Sequence, residues 1–263
     1  MGGWPVCSRS GGGHNWPASS PHSATLLLPA GQLDVIKGWM KTDFPQFAGK
    51  EVTLELCYSM AAEPVVDGEE WRGCQPGQCT HQAGKGQNFQ DGCLVAGREG
   101  TATITVLKSR QGNVMGGATA TNFGTHDSQR ESQVAFLFCL SCKGAIDRGR
   151  TQPEQFKLLP ETRADPSVPP GGRYDAKCYA HAGQGPCFGG GHDLTIPDSV
   201  GLPKSQAYTS LGKTYECPVG AWNSAECRGY FTNQPALAAP WNTPNTAYYT
   251  ADNYEVFWAT PTA

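Results

Sequence analysis

Apolar residues first return at three- and four-residue intervals at Leu33, Ile36, Trp39 and Met40, after PAGQ and before TDFPQF. That spacing places one apolar stripe along a helix and predicts a single amphipathic α-helix there. The period then changes. In VTLELCYS (52–59), Val52, Leu54, Leu56 and Tyr58 alternate with Thr53, Glu55, Cys57 and Ser59, which is the repeat of a half-buried strand with its four apolar side chains on one face. TATITVL (101–107), VMGGATA (114–120) and VAFLFCL (134–140) read as further strands. The first two are joined by the turn KSRQGN, and the third is apolar enough to lie buried in the middle of a sheet. FKLL (156–159), DLTI (193–196), SLGKTYECP (210–218) and NYEVFWAT (253–260) complete the set. Strands without long helices between them argue for antiparallel pairing, and two packed sheets are the simplest way to bury both. The expectation is a β-rich α+β fold: a two-layer antiparallel β-sandwich with a few short flanking helices, formed by residues 25–263 behind an irregular arm at 1–24.

Composition supports many short strands. The chain has 263 residues, enough for one large domain, and its 33 glycines and 20 prolines supply turns in number. Charged residues are 16% of the chain and the net charge is −3, so no basic footprint for nucleic acid or an anionic membrane is present. The longest apolar run, VAFLFCL, falls far short of the ~20 residues a membrane-spanning helix needs. The opening MGGWPVCSRSGGGHNWPASSPHSA lacks the basic-then-apolar order of a secretory signal, and Val6 stands where myristoylation calls for Ser or Thr. The reading is a soluble chain.

The eleven cysteines change that picture. Their density is high for a cytosolic protein and favours an oxidising compartment, secreted or luminal, with the cytosol as the alternative. Cys178 with Cys187 and Cys217 with Cys227 each enclose a short loop containing Gly or Pro and are candidate disulfides. Cys74, Cys79 and Cys93 crowd a polar insertion at 61–100, where at least two should be bridged if the protein is secreted. Cys139 and Cys142 stand in C-x-x-C spacing, yet no second such pair follows at a zinc-finger distance. A thioredoxin-like pair sits where a strand hands over to a helix, whereas here Lys143-Gly144 predicts a turn. Two core-side cysteines, separate or bridged, are the expectation, with no metal.

GPCFGGGHDLTI (185–196) is the most suggestive stretch for chemistry. Gly183, Gly185 and Gly189 read G-x-G-x-x-x-G and lead into a strand, which matches neither the P-loop nor the dinucleotide fingerprint; no cofactor is expected. His192 and Asp193 are adjacent, so in extended chain their side chains point to opposite faces and cannot form a dyad with each other. The structural reading is that Gly189, Gly190 and Gly191 allow positive φ or a close crossing, with His192 beside them, while Asp193 accepts hydrogen bonds from loop amides. Ser210 in TSLG lacks the glycine and the elbow of a G-x-S-x-G nucleophile. No catalytic constellation emerges.

Five blocks in order carry a family resemblance. TATITVLKSRQGNVMGGATA (101–120), AFLFCL (135–140), FGGGHDLTI (188–196), AYTSLGKTYECP (207–218) and ADNYEVFWAT (251–260) resemble the signature blocks of the TLDc domain, and the helix and VTLELCYS resemble its opening. The resemblance covers about residues 25–260 and departs from the family pattern at 59–100, which is longer and holds Cys74, Cys79 and Cys93. It implies a β-sandwich of two antiparallel sheets in a domain of eukaryotic oxidation-resistance proteins and of proteins that bind the vacuolar proton-pumping ATPase, a family without a generally accepted catalytic mechanism.

The expected function is therefore a non-catalytic interaction or stress-protective module with a protein partner, within a larger assembly or alone. The alternative is a secreted or luminal structural, assembly or carbohydrate-binding protein. Trp222, Tyr230, Trp241, Tyr248 and Tyr249 crowd a Pro- and Asn-rich C-terminal stretch, and such rings either anchor a partner or cover the end of the sandwich.

Overall fold

The computed structural model describes residues 27–28, 30–59, 89, 93–94, 96–123, 132, 134–159, 176–177, 184–189, 193–197, 207–212, 214–219, 224–231, 247–249 and 251–262. Helix α1 (Ala30–Asp43) forms on the predicted stripe, with Leu33, Ile36 and Met40 buried. A single 3₁₀ turn (Pro45–Phe47) follows and seats Phe44 and Phe47 in the same core.

Eleven strands are described, in two sheets. The larger sheet holds β1 (Glu51–Ser59), β2 (Ala102–Ser109), β3 (Val114–Thr119), β4 (Ala135–Ser141), β5 (Glu154–Lys157) and β11 (Ala251–Thr262), in the order β1-β11-β2-β3-β4-β5. The last strand thus lies between the first two, antiparallel to both. The smaller sheet is β10-β9-β8-β7-β6, built from β6 (Ala176–Lys177), β7 (Gln184–Phe188), β8 (Leu194–Pro197), β9 (Ala207–Thr209) and β10 (Ala247–Tyr249). The β-rich α+β sandwich expected from the apolar pattern is the fold observed.

Two cores lie on the two faces of the larger sheet. On one, α1 covers Val52, Leu54, Ile104, Val106, Phe136, Phe138 and Phe257. On the other, the smaller sheet brings Phe188, Leu194, Ile196 and Tyr249 against Leu107, Met115, Leu137 and Val256. Gly117 makes that contact possible: a Cβ there would stand 2.7 Å from the Phe188 ring and 2.9 Å from Leu137, inside van der Waals distance.

Three expectations need correction. VTLELCYS does not keep its apolar residues on one face, because the register with β11 shifts between Leu56 and Tyr58. A one-residue slip reverses the facing of every later residue in the strand, so Val52 and Leu54 join the helix-covered core while Tyr58 joins the other. SLGKTYECP is not a strand in its described residues: β9 ends at Thr209, and among them only Tyr215 pairs, by an isolated bridge with Leu158. Lys143-Gly144 is not merely a turn either, for Lys143–Ile146 form a one-turn helix, α2, with Cys142 at its N-cap.

Candidate functional site

Asp193 stands at the start of β8, wholly buried. Its Oδ1 accepts main-chain N–H groups of Gly212 and Thr214 at 3.0 Å and Tyr215 at 3.3 Å, and its Oδ2 accepts Thr214 N–H at 3.1 Å. Its own carbonyl accepts the Thr209 hydroxyl at 2.7 Å and Ser210 N–H at 3.2 Å. These bonds explain why 210–215 turns instead of extending: the amides that a strand would offer to a neighbour converge on one carboxylate. A buried carboxylate is tolerated because it accepts several such donors.

Gly189 completes the arrangement. It has φ +84°, and a Cβ there would lie 2.3 Å from Asp193 Oδ2, so both the backbone conformation and the close approach require glycine. The expected acceptor role of Asp193 matches this geometry. Gly190, Gly191 and His192 lie outside the described residues.

A second polar cluster sits where α2 meets α3 (Ala225–Arg228) and β5. Tyr230, buried, donates its hydroxyl to Glu154 Oε2. Glu154 also accepts Arg150 Nε at 2.7 Å and Gln152 Nε2 at 3.1 Å. The Arg148 guanidinium lies over the Tyr230 ring, 6.0 Å from its centroid. Burial, reinforced by the hydrogen bond to Glu154, pushes the Tyr230 hydroxyl up to about 12. A tyrosine that holds its proton so tightly is a poor general base at neutral pH.

The aromatic candidates divide. Tyr230 and Tyr249 are not surface anchors: both rings are buried in the inter-sheet core, and Tyr249 donates its hydroxyl to the Thr195 carbonyl at 2.9 Å. Their proline- and asparagine-rich surroundings predicted a loop region, but Tyr249 belongs to β10 and Tyr230 closes the turn after α3. Tyr248 pairs with Tyr208 in the β10–β9 register. Trp222 and Trp241 lie outside the described residues.

Among the cysteines, Cys217–Cys227 forms as expected. Cys178–Cys187 does not: Cys187 keeps a buried thiol that points to the Gly185 carbonyl at 3.6 Å, because the β6–β7 register sets Lys177 opposite it. Cys93 is bridged, to Cys57 on β1 across 36 residues, while Cys74, Cys79 and Cys178 lie outside the described residues. The C-x-x-C pair is closed as Cys139–Cys142. The crowding of Cys74, Cys79 and Cys93 in one polar insertion did not point to Cys57 as a partner. The bulge that turns Tyr58 toward the inter-sheet core was invisible in the alternation.

Among the described residues, no group of three His, Cys, Asp or Glu side chains is placed to hold a metal, and no helix is long and apolar enough to cross a membrane. No protein-family model matches the chain, and no curated protein matches it significantly.

Proposed function

We propose that the chain is a TLDc-like, non-catalytic module that binds a protein partner in an interaction or stress-protective role. The observation that carries this reading is Asp193, the carboxylate of the GGGHD block, which is buried and holds three main-chain amides of the following turn. The one carboxylate of that block acts as a structural acceptor. Support also comes from the five resembling blocks, which coincide with β2–β3, β4, β7–β8, β9 with its turn, and β11. Recognition then falls to the stretches that depart from the family pattern, 61–100 and the aromatic-rich 222–249.

The test is a titration of the purified chain against the isolated peripheral sector of a vacuolar proton-pumping ATPase, followed by light scattering. A complex that forms equally with folded D193A supports the module. Ester, glycoside or peroxide turnover that D193A abolishes at unchanged Tm would overturn it.

A second reading has its own observation. Three disulfides among the described residues fit a secreted or luminal structural, assembly or carbohydrate-binding protein. Thiol mapping of native, unreduced protein separates the two, since fully reduced cysteines would remove this alternative.

A further inference from the structure

The Cys139–Cys142 bond differs from the other two among the described residues in what it can hold. It closes a loop of three residues, against 10 for Cys217–Cys227 and 36 for Cys57–Cys93. A bond that constrains so little of the unfolded chain contributes least to global stability by loop closure, so its effect is local. Its two ends are β4, where Cys139 lies between Met115 and Glu154, and the N-cap of α2.

Helix α2 has four residues, too few to persist without outside support. That support is specific. Lys143 N–H donates to Asn113 Oδ1 at 2.8 Å, and Ala145 is buried in the inter-sheet core. At Gly144 a Cβ would stand 2.2 Å from the Tyr230 carbonyl and 2.8 Å from that of Gly229, so the α2 backbone rests directly on the turn after α3. Arg148 reaches back to the Gly144 carbonyl and over the Tyr230 ring. The outer side of the helix is open, with Ile146 54% exposed. Both cysteines are buried beneath it.

We propose that Cys139–Cys142 is a reducible site that controls the docking of α2 on the α3–Tyr230 turn, acted on by a dithiol reductant when α2 lifts. One thiolate of the reductant attacks a sulfur of the pair, breaking the S–S bond and forming a mixed disulfide. Its second thiol, as thiolate, displaces the remaining cysteine sulfur. The reductant leaves as a disulfide, and Cys139 and Cys142 take up two protons to become thiols. With the bond open, only side-chain and close-packing contacts hold α2, and the 142–150 and 225–231 segments loosen together. This inference does not rest on the proposed function.

Hydrogen exchange on the full chain tests it. In C139S/C142S, which keeps the other two bonds, amides of 142–150 and 225–231 should exchange ~10-fold faster or more while β2 and β3 stay protected. In the wild-type chain, dithiothreitol without denaturant should make Cys139 and Cys142 alkylable as a pair, with the same gain at 142–150. Should the double variant not fold, this second arm decides alone. Unchanged protection at 142–150 in the opened form, deprotection spreading through β2–β4, or a Cys139–Cys142 bond that dithiothreitol leaves intact would each overturn the proposal.

Discussion

The two faces of the six-stranded sheet are built by different means. The helix-covered core, as described, is hydrocarbon: Leu33, Ile36, Met40 and Phe44 of α1 and its following turn meet Phe136, Phe138 and Phe257, with no buried cysteine or tyrosine among them. Trp39 lies edge-on to Phe136 at 6.0 Å. The sheet-covered core contains Cys93, Cys139, Cys142, Cys187 and Cys227, and also Tyr58, Tyr215, Tyr230, Tyr249 and Tyr254. The reason lies in strand length. The smaller sheet has strands of two to five residues, which supply few ladder bonds and little apolar area. Bonds of defined direction supplement them: disulfides, buried tyrosine hydroxyls and the Asp193 carboxylate. A face held by packing tolerates change of shape poorly but change of chemistry well, provided it remains apolar. A face held by directional bonds does the reverse.

Removing volume from the helix-covered face should have the largest effect. Phe136→Ala deletes a fully buried ring that touches Trp39, Phe44 and Phe138 and should cost about 4 kcal/mol in urea unfolding, whereas Phe136→Leu should cost less than half of that. If the two variants lose the same amount, packing is not what holds this face.

The corresponding experiment on the other face removes a polar group and then restores its shape without its charge. Asp193→Ala leaves the amides of Gly212, Thr214 and Tyr215 without their acceptor and should cost about 3 kcal/mol. Asp193→Asn retains one carbonyl oxygen and should recover part of this loss. Equal losses for Ala and Asn would mean that the amides find other acceptors and that the turn does not depend on the carboxylate.

Legibility in the chain divides along the same line. The helix-covered face was legible because its signal is periodic: the α1 stripe and the alternation of Val52 with Leu54 depend on neighbours three, four or two residues away. β4 was legible for another local reason, as a continuous apolar run. The sheet-covered face depends on partners far apart in sequence. Asp193 could be recognised as an acceptor from its glycine neighbours, but that its donors lie in 212–215 could not, so that segment looked like a strand. For Tyr249 and Tyr230 the choice between anchoring a partner and covering the sandwich stayed open, because proline- and asparagine-rich surroundings conceal a three-residue strand and a one-turn helix. The Cys57–Cys93 bridge joins residues 36 apart, a pairing that the alternation used to find β1 does not encode.

Disulfide removal sharpens the comparison further. Cys217–Cys227 ties α3 to the turn that Asp193 organises, across 10 residues. Replacing both by serine should lower stability by about 2.5 kcal/mol, the loop-closure value for that span. The loss should appear as faster exchange in 224–231 while α1 keeps its protection. Equal loss of protection at α1 would show that the two faces are not independent.

The smallest effect expected is at Tyr230, and it depends on pH. At neutral pH, Tyr230→Phe removes one hydrogen bond to Glu154, which keeps Arg150 and Gln152 as donors, so the loss should be about 1 kcal/mol. Alkaline titration is more telling. The unfolded chain releases the tyrosine proton near its ordinary value of 10.0, while the folded chain holds it to about 12. Between those values the unfolded state binds fewer protons, so stability present below pH 10 is lost as pH rises toward 12. Tyr249, whose hydroxyl burial raises well above its ordinary value, adds to the same slope and continues it to higher pH. Tyr230→Phe should therefore flatten the fall of stability between pH 10 and 12 without abolishing it, and Tyr249→Phe should remove a further part. Substitutions on the helix-covered face, where no described tyrosine is buried, should shift the whole curve and leave its slope unchanged. A slope that Phe136→Leu alters as much as Tyr230→Phe would place the alkaline sensitivity in packing rather than in these hydroxyls.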